Sequence, residues 1–251
     1  MTEHERVKVE QGSKWVRALV GGEVIADTTR PLLVWEVPYY PLYYFPLDDV
    51  RADRLHDTGD VKHSPSRGDA HLLDIHGGRG IVREKAAARY DDSPVEQLRA
   101  TVRFEWDAMD TWLEENEPVH MHPHDPYKRI DILGSSRHVR IEVEGVTIAD
   151  STQPRVLYET SLPPRYYLPI CDVRLDLLEP SATVTGCAYK GFAHHWTVVL
   201  DGERTRRDVA WTYWTPLPEA TKIAGLICFY DEKVDVHLDG ELQERPRTHF
   251  S

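Results

Sequence analysis

The stretch GGEVIADTTRPLLVWE, residues 21–36, is similar to a later stretch of the sequence, EGVTIADSTQPRVLYE, residues 144–159. The match extends on both sides, because residues 16–75 align without a gap to residues 139–198 at an offset of 123, with 23 identities in 60 positions. Chance does not produce this similarity. The sequence is therefore a tandem duplication of a domain-sized unit of about 100 residues.

Each copy is predicted to be mainly β. Residues 138–149 alternate apolar and polar side chains around a Glu-Gly turn, which is the pattern of a hairpin. The prolines of LPPRYYLP, residues 162–169, exclude a long helix there, and helical turns are expected only near residues 92–98 and 172–178. Short strands at regular spacing favour two tandem small domains, each barrel-like or sandwich-like, with few short helices.

The domain boundaries follow from the duplication. The first copy is assigned to residues 1–115 and is the more degenerate one, and the second is assigned to residues 137–251. The segment between them, residues 116–136, is rich in proline and polar residues and is predicted to be a linker or a strap over the domain junction. Its three histidines are spaced two residues apart, which is not a strong metal motif, so neither a metal nor a cofactor is predicted.

The composition is that of a globular protein with an acidic balance. The formal net charge of −12 disfavours nonspecific binding to nucleic acid or to an anionic membrane, because both require a basic surface. A local basic pocket in such a protein would hold a small anion rather than a polymer. The first residues, MTEHERVKVE, lack the apolar core of a secretion signal. Three cysteines without CxxC spacing favour free thiols in a reducing cytoplasm.

The second copy carries three stretches with a family resemblance: VRIEVEGVTIADSTQPRVLYETSLPPRYYLPICDVRLDLLEPS, then CAYKGFAHHW, then DVAWTYWTPLPEATKIAGLICFY. They resemble the bacterial and fungal domain of unknown function 427. The second copy resembles that pattern almost throughout and the first in part, so the chain resembles a tandem-domain member. The resemblance implies a compact, β-rich, barrel-like domain and brings no established reaction.

Comparison of the two copies separates fold from function. Residues kept in both are most simply explained by the fold, and residues present in one copy are candidates for function or for drift. The kept pairs include Glu36/Glu159, Tyr43/Tyr166, Tyr44/Tyr167, Asp49/Asp172, Arg51/Arg174, Asp53/Asp176 and His71/His194. The Asp-x-Arg-x-Asp pattern predicts a structural ion pair between Arg174 and Asp172 or Asp176.

The segment GCAYKGFAHHW, residues 186–196, holds two of the three candidate catalytic residues, Lys190 and Tyr189; the third is Glu159. Lys190 corresponds to Arg67, so a cation before glycine is kept in both copies, whereas Cys187 and Tyr189 correspond to serines. One interpretation is a turn with Gly191 at positive φ and the lysine in solvent. The other makes Lys190 a point charge that binds an anionic ligand.

Aromatic residues and one arginine complete the predicted ligand site. AWTYW, residues 210–214, is aligned with AAARY, residues 86–90, so its two tryptophans and its tyrosine are interpreted as specific to the second copy and as a stacking wall for a planar ligand. Arg165 corresponds to Leu42 and is likewise specific. The predicted ligand-binding set is Lys190, Arg165, Tyr166, Tyr167, Tyr189, Trp196, Trp211 and Tyr213.

Three functions are consistent with these residues. The favoured hypothesis is a small-molecule-binding protein that holds a nucleotide-like or carboxylate anion in an aromatic pocket of the second repeat, or in a cleft to which both repeats contribute. The alternative is a hydrolase or lyase in which Glu159 or Lys190 acts as base and Tyr189 as acid. A structural or protein-interaction module without a small ligand is the third.

Overall fold

The computed structural model describes residues 7–248 and residue 250, apart from the side chains of residues 203–205. The chain divides into two compact units, Met1–Asp125 and Pro126–Ser251. Both units are mainly β, as the sequence predicts.

The first unit has eleven strands among its described residues. They are β1 (Lys8–Gln11), β2 (Val16–Val20), β3 (Glu23–Thr28), β4 (Leu32–Val37), β5 (Tyr40–Pro46), β6 (Leu55–Ser64), β7 (Gly68–His76), β8 (Val82–Tyr90), β9 (Thr101–Phe104), β10 (Thr111–Glu114) and β11 (Glu117–Pro118). Seven of them form an antiparallel sheet in the order β1-β4-β5-β9-β8-β7-β6, and four form a second sheet in the order β11-β10-β2-β3.

The second unit repeats this arrangement strand for strand. Its strands are β12 (Ile130–Gly134), β13 (Val139–Val143), β14 (Val146–Ser151), β15 (Arg155–Glu159), β16 (Arg165–Leu168), β17 (Leu178–Cys187), β18 (Gly191–Leu200), β19 (Glu203–Thr212), β20 (Ile227–Phe229), β21 (Asp235–Leu238) and β22 (Glu241–Leu242). The sheets run β12-β15-β16-β20-β19-β18-β17 and β14-β13-β21-β22. Neither sheet closes on itself within the described residues, so each unit is sandwich-like rather than a closed barrel.

A hydrophobic core lies between the two sheets of each unit. In β13 of the second unit, Val139, Ile141 and Val143 are buried while the residues between them are partly exposed. This period of two places the apolar side chains of one strand on one face of its sheet. They meet Leu168 of the larger sheet, which is fully buried in the same cluster. The alternation seen in the sequence therefore builds the sandwich directly.

The predicted hairpin between β13 and β14 is confirmed. Its two turn residues, Glu144 and Gly145, have φ values of 51° and 79°, which is the left-handed pair that a tight hairpin turn requires. The turn between β18 and β19 is of the same kind, with φ of 50° at Asp201 and 80° at Gly202. Local sequence thus sets the strand connections in these places.

Residues 116–136 belong partly to each of the two units. The segment contributes β11 to the first unit and β12 to the second, so both of its ends are paired in sheets. Short 3₁₀ helices form near the expected positions, at Glu96–Leu98, Ile170–Asp172 and Leu175–Leu177. The expectation of helical turns only there is wrong, because further 3₁₀ helices form at Leu47–Asp49, Ala52–Arg54, Gly78–Gly80, Trp106–Ala108 and Pro218–Ile223. In the part of the chain that the structure describes, no helix is long and apolar enough to cross a membrane.

We expect Leu168→Ala to lower the free energy of unfolding by about 2–5 kcal/mol, because it opens a cavity at a fully buried position of the second core. Leu133→Ala is the matched control, since Leu133 of β12 lies in the same unit but is 55% exposed; its cost should stay within about 0.5 kcal/mol. Denaturant titration of both variants measures the difference. Equal losses in the two variants would contradict the assignment of the core.

Candidate functional site

The larger sheet of the second unit divides the predicted site residues between its two faces. Arg165 and Tyr167 alternate with Tyr166 along β16, so Tyr166 leaves the sheet on the opposite side. Tyr166 packs against the core of the sandwich, as does Trp196. Trp196 also donates from Nε1 to Oγ1 of Thr212 at 3.0 Å. These two aromatic residues therefore belong to the sandwich interior.

The other face, called here the outer face, has its own apolar cluster. Tyr167, Trp211 and Tyr213 are buried in it together with Leu157. The helix Pro218–Ile223 contributes Ala220 and Ile223 to the same cluster, and both are fully buried. Trp211 donates from Nε1 to the hydroxyl of Tyr167 at 3.1 Å. The outer face is thus a second buried apolar layer, and polar side chains project from it.

Lys190 is held at one end of the outer face by an ion pair. Its Nζ donates to Oε2 of Glu159 at 2.5 Å, and the two side chains are only 10% and 8% exposed. Gly191, which follows the lysine, has a φ of 90°, so the predicted positive-φ turn is confirmed. The lysine side chain points into the protein rather than into solvent. Glu159 of β15 is the acid that pairs with it.

The electrostatics of this pair keep the lysine charged. Burial opposes the charge on Lys190, but the neighbouring Cys187 thiol and the Glu159 carboxylate more than offset it, so the pKa of Lys190 is raised above its ordinary value. Tyr213 lies in the same polar neighbourhood, and burial, reinforced by Cys187 and Glu159, raises the pKa of its phenol. Both groups are therefore protonated near neutral pH.

The first unit has an equivalent pair with more partners. Glu36 receives Nη1 of Arg67 at 2.7 Å and the hydroxyl of Tyr44 at 2.7 Å, and Nε of Arg103 lies 3.5 Å away. The β ladders place Arg103 opposite Tyr44 and Cys228 opposite Tyr167, so the second arginine has been replaced by a cysteine.

Glu159 consequently has fewer partners than Glu36. Among the described residues, Lys190 is the one side chain that donates to its carboxylate. The carboxylate–cation pair is common to both units, but its carboxylate accepts from more side chains in the first unit than in the second.

Arg165 is bound to an internal carboxylate. It forms a bidentate pair with Glu232, with Nη1 at 2.9 Å and Nη2 at 2.6 Å from the two carboxylate oxygens. The side chain of Arg165 is 7% exposed and that of Glu232 is fully buried. The guanidinium lies 5.8–5.9 Å from the ring centres of Trp211, Tyr230 and Phe250. No sequence pattern indicated Glu232, because it lies 67 positions from its partner.

A second carboxylate lies beside Arg165. Asp231 is 3.8 Å from Nη1 of the arginine and is nearly buried. Burial raises the pKa of Asp231 to about 7, with the arginine opposing the shift and the Glu232 charge adding to it. This residue therefore changes its charge near neutral pH.

His195 also lies on the outer face, with a partner that the sequence did not indicate. Its Nε2 is 2.9 Å from Oγ1 of Thr185, and its ring stacks on Tyr230 with centres 6.2 Å apart. Burial lowers the pKa of His195, against the opposing influence of Asp208. The histidine is therefore neutral at pH 7.

The strand register corrects the comparison of AWTYW with AAARY. In the first unit Leu73 of β7 pairs with Ala87 of β8, and in the second unit Trp196 of β18 pairs with Ala210 of β19. Both residues of the second pair lie 123 positions after those of the first. Strands β8 and β19 therefore correspond at an offset of 123 and not 124. Tyr213 therefore corresponds to Tyr90, which is also buried, and it is not specific to the second unit. Trp211 corresponds to an alanine and remains specific.

The remaining predictions concern exposed polar groups. Arg174 donates from Nε and Nη2 to Asp176 at 2.8 and 2.6 Å, which confirms the structural ion pair. Tyr189 lies in the turn before Lys190 and is partly buried. Within residues 7–248 and 250, no group of three or more histidine, cysteine or acidic side chains is arranged to hold a metal ion.

Comparison with known proteins gives one family. Residues 8–115 and 131–240 each match the model of the family described as Domain of unknown function (DUF427). Each matched stretch falls entirely within one of the two compact units. No curated protein matches the chain.

We expect Asp231→Asn to remove a pH-dependent loss of stability. The folded protein holds a proton on Asp231 that the unfolded chain releases between pH 3.8 and about 7, so the wild type loses stability as the pH rises through this window. The loss amounts to about 4 kcal/mol at most. Denaturant titrations at pH 4 and pH 7.5 should show that the variant is more stable than the wild type only at the higher pH.

Asp201→Asn is the control for this experiment, because it makes the same chemical change at an exposed turn. Its pH profile should follow that of the wild type. A wild-type slope retained in Asp231→Asn would show that the carboxyl is not protonated in the folded state.

Proposed function

The chain belongs to the DUF427 family, with one family domain in each unit, and we propose that its second unit binds a small anionic ligand at Lys190. One observation carries the proposal. Lys190 is a nearly buried ammonium with a raised pKa, and the carboxylate that holds it has no second donor among the described side chains. A charged donor in such an environment interacts far more strongly with an anion than a solvent-exposed lysine does.

The lysine has a donor left for a ligand. An ammonium carries three N–H donors in a compact group that can turn toward oxygens in several directions. Glu159 accepts one of them at 2.5 Å and the Cys187 sulfur interacts with a second. In the first unit the corresponding cation is Arg67. Its carboxylate partner, Glu36, also accepts a hydrogen bond from the hydroxyl of Tyr44. This contrast supports ligand binding in the second unit rather than in both.

Glu159 would compete with the ligand for the ammonium. The Lys190–Glu159 pair is neutral, so an added carboxylate or phosphate leaves one uncompensated negative charge in a poorly solvated place. The ligand therefore binds best when its oxyanion replaces Glu159 at Nζ. This competition predicts that removal of the Glu159 charge strengthens binding.

The approach to Lys190 is from its own turn. Cys187 and Tyr189 flank the lysine and are partly exposed, whereas Tyr213 is buried beside the pair. Tyr167 and Trp211 lie deeper on the same face and would support Tyr213 and the Lys190–Glu159 pair from below. The proposed site is thus smaller than the predicted set: Arg165 is occupied by Glu232, and Tyr166 and Trp196 pack toward the sandwich core.

The same electrostatics favour binding over base catalysis by Lys190. A general base or a Schiff-base lysine must lose its proton near neutral pH, which requires a lowered pKa. The pKa of Lys190 is instead raised. Lys190 therefore serves better as a permanent cation than as a proton acceptor.

We expect Lys190→Gln to abolish ligand-induced thermal stabilisation and Glu159→Gln to strengthen ligand binding by about tenfold, or about 1.4 kcal/mol. Gln keeps the approximate size of each side chain and removes its charge. Thermal shift against a panel of carboxylates and nucleoside phosphates finds the ligand, and calorimetry measures its Kd for each variant.

The first unit supplies the matched control. Glu36→Gln makes the same change in the equivalent pair and should leave the Kd unchanged. If Lys190→Gln fails to fold, Glu159→Gln still tests the proposal, because a ligand that does not contact the ammonium gains nothing from this change. Binding that is equal in wild type, Lys190→Gln and Glu159→Gln would refute the site.

A further inference from the structure

The first unit has a glycine-rich loop where the second unit has a tight turn. Residues 77–81, GGRGI, connect β7 to β8, whereas Asp201 and Gly202 alone connect β18 to β19. Gly77 and Gly78 lie against the β2–β3 hairpin so closely that a Cβ on them would stand 2.4 Å from Cγ1 of Val20 and 2.6 Å from the carbonyl oxygen of Gly21. The absence of side chains is therefore what lets this loop pack there.

A cavity of about 350 Å³ lies at this loop, within the size range of small-ligand sites. Its walls are the loop itself and the side chains of Glu23, Arg54 and His76. The His76 ring packs against that of His56 with centres 3.8 Å apart and the ring planes tilted by 33°, which holds one wall in place. The cavity belongs wholly to the first unit and is separate from the Lys190 site.

The charged groups of the cavity leave an excess of positive charge. Glu23 accepts Nη2 of Arg54 at 2.6 Å and lies 3.6 Å from Nη1 of Arg51, so its own charge is already compensated. Nε of Arg54 is buried without a hydrogen-bond acceptor, its nearest carboxylate oxygen being that of Asp53 at 3.6 Å. Arg79 is exposed at the cavity and has no ion-pair partner among the described residues.

The loop backbone adds further donors. Its hydrogen bonds run from Gly77 N to Ile81 O at 2.8 Å and from Ile81 N to Gly78 O at 3.2 Å. The amides of Gly78 and Arg79 have no acceptor in the described part of the chain. Arg79 and Gly80 have φ values of 57° and 73°. Successive amides in a turn can form a concave arrangement that binds anions.

From these observations we infer that the cavity binds the phosphate group of a small phosphorylated molecule. A phosphate offers several oxygens at once, which suits the fork of Arg54, the side chain of Arg79 and the amides of the loop. The cavity has room for one small molecule, and the acidic balance of the chain disfavours a polyanion such as nucleic acid. This inference goes beyond the ligand proposed for the second unit, because it rests on other residues in the other unit.

The experiment titrates the full chain with inorganic phosphate and with glycerol phosphate, using calorimetry and two-dimensional NMR. The amide resonances of Gly78 and Gly80 should shift on addition of either probe. Arg79→Ala should weaken binding about tenfold or more, since it removes a charge-assisted hydrogen bond to the phosphate. Replacement of residues 77–81 by Leu-Asp-Gly-Glu-Arg, the residues at the equivalent positions 200–204 of the second unit, should abolish binding.

Two controls separate this site from others. Arg207→Ala removes an exposed arginine of the second unit and should leave the Kd unchanged, so it controls for a general loss of charge. Lys190→Gln should also leave the Gly78 and Gly80 shifts intact, so that failure of either site is seen independently. If the variant with the replaced loop fails to fold, the Kd of Arg79→Ala for phosphate still tests the inference. Unshifted glycine amides, or an equal Kd in wild type and Arg79→Ala, would overturn the inference.

Discussion

One carboxylate–cation pair joins two distant parts of the larger sheet in each unit. In the second unit it links β15, the second strand from one edge, to the hairpin of β17 and β18 at the opposite edge. Four strand spacings of about 4.8 Å separate β15 from β18, which is about 19 Å in a flat sheet. The two charged atoms are nevertheless 2.5 Å apart. The two long side chains span part of this distance, and the sheet must coil to span the rest.

This coiling explains why the outer face is buried at all. A flat sheet of a sandwich exposes the side that does not face its partner sheet. Here that side holds Tyr167 and Trp211 in a second apolar cluster, and the helix Pro218–Ile223 covers it further. The charged groups mounted on it, Lys190 and Arg165, are removed from water as a result and require the carboxylates that hold them.

The sequence predicted the features that arise from local pattern or from repetition. The alternation of β13, the Glu144-Gly145 turn and the common order of strands follow from a period of two, from turn chemistry and from the duplication. The pairings on the outer face could not be predicted in this way. Glu159 and Lys190 lie 31 positions apart, and their contact depends on the coiling of a sheet whose curvature has no signal in the residues.

The error in matching AWTYW has a similar origin. The two copies differ in length by two residues beyond this strand, and similarity of short aromatic or alanine-rich stretches does not fix the alignment there. Hydrogen-bonded ladders do fix it, since a shift by one residue would move every side chain of the strand to the other face. Tyr213 then falls on Tyr90, and the feature that distinguishes the second unit becomes Trp211.

The unlike ion pairs of the two units have a consequence for how the chain folds. Adjacent domains of similar sequence are prone to exchange equivalent strands during folding. If β16 took the place of β5, Arg165 would be inserted where the first unit has Leu42 and would be separated from Glu232. An uncompensated buried cation costs several kcal/mol. The divergence of the outer faces therefore disfavours a hybrid domain of this kind.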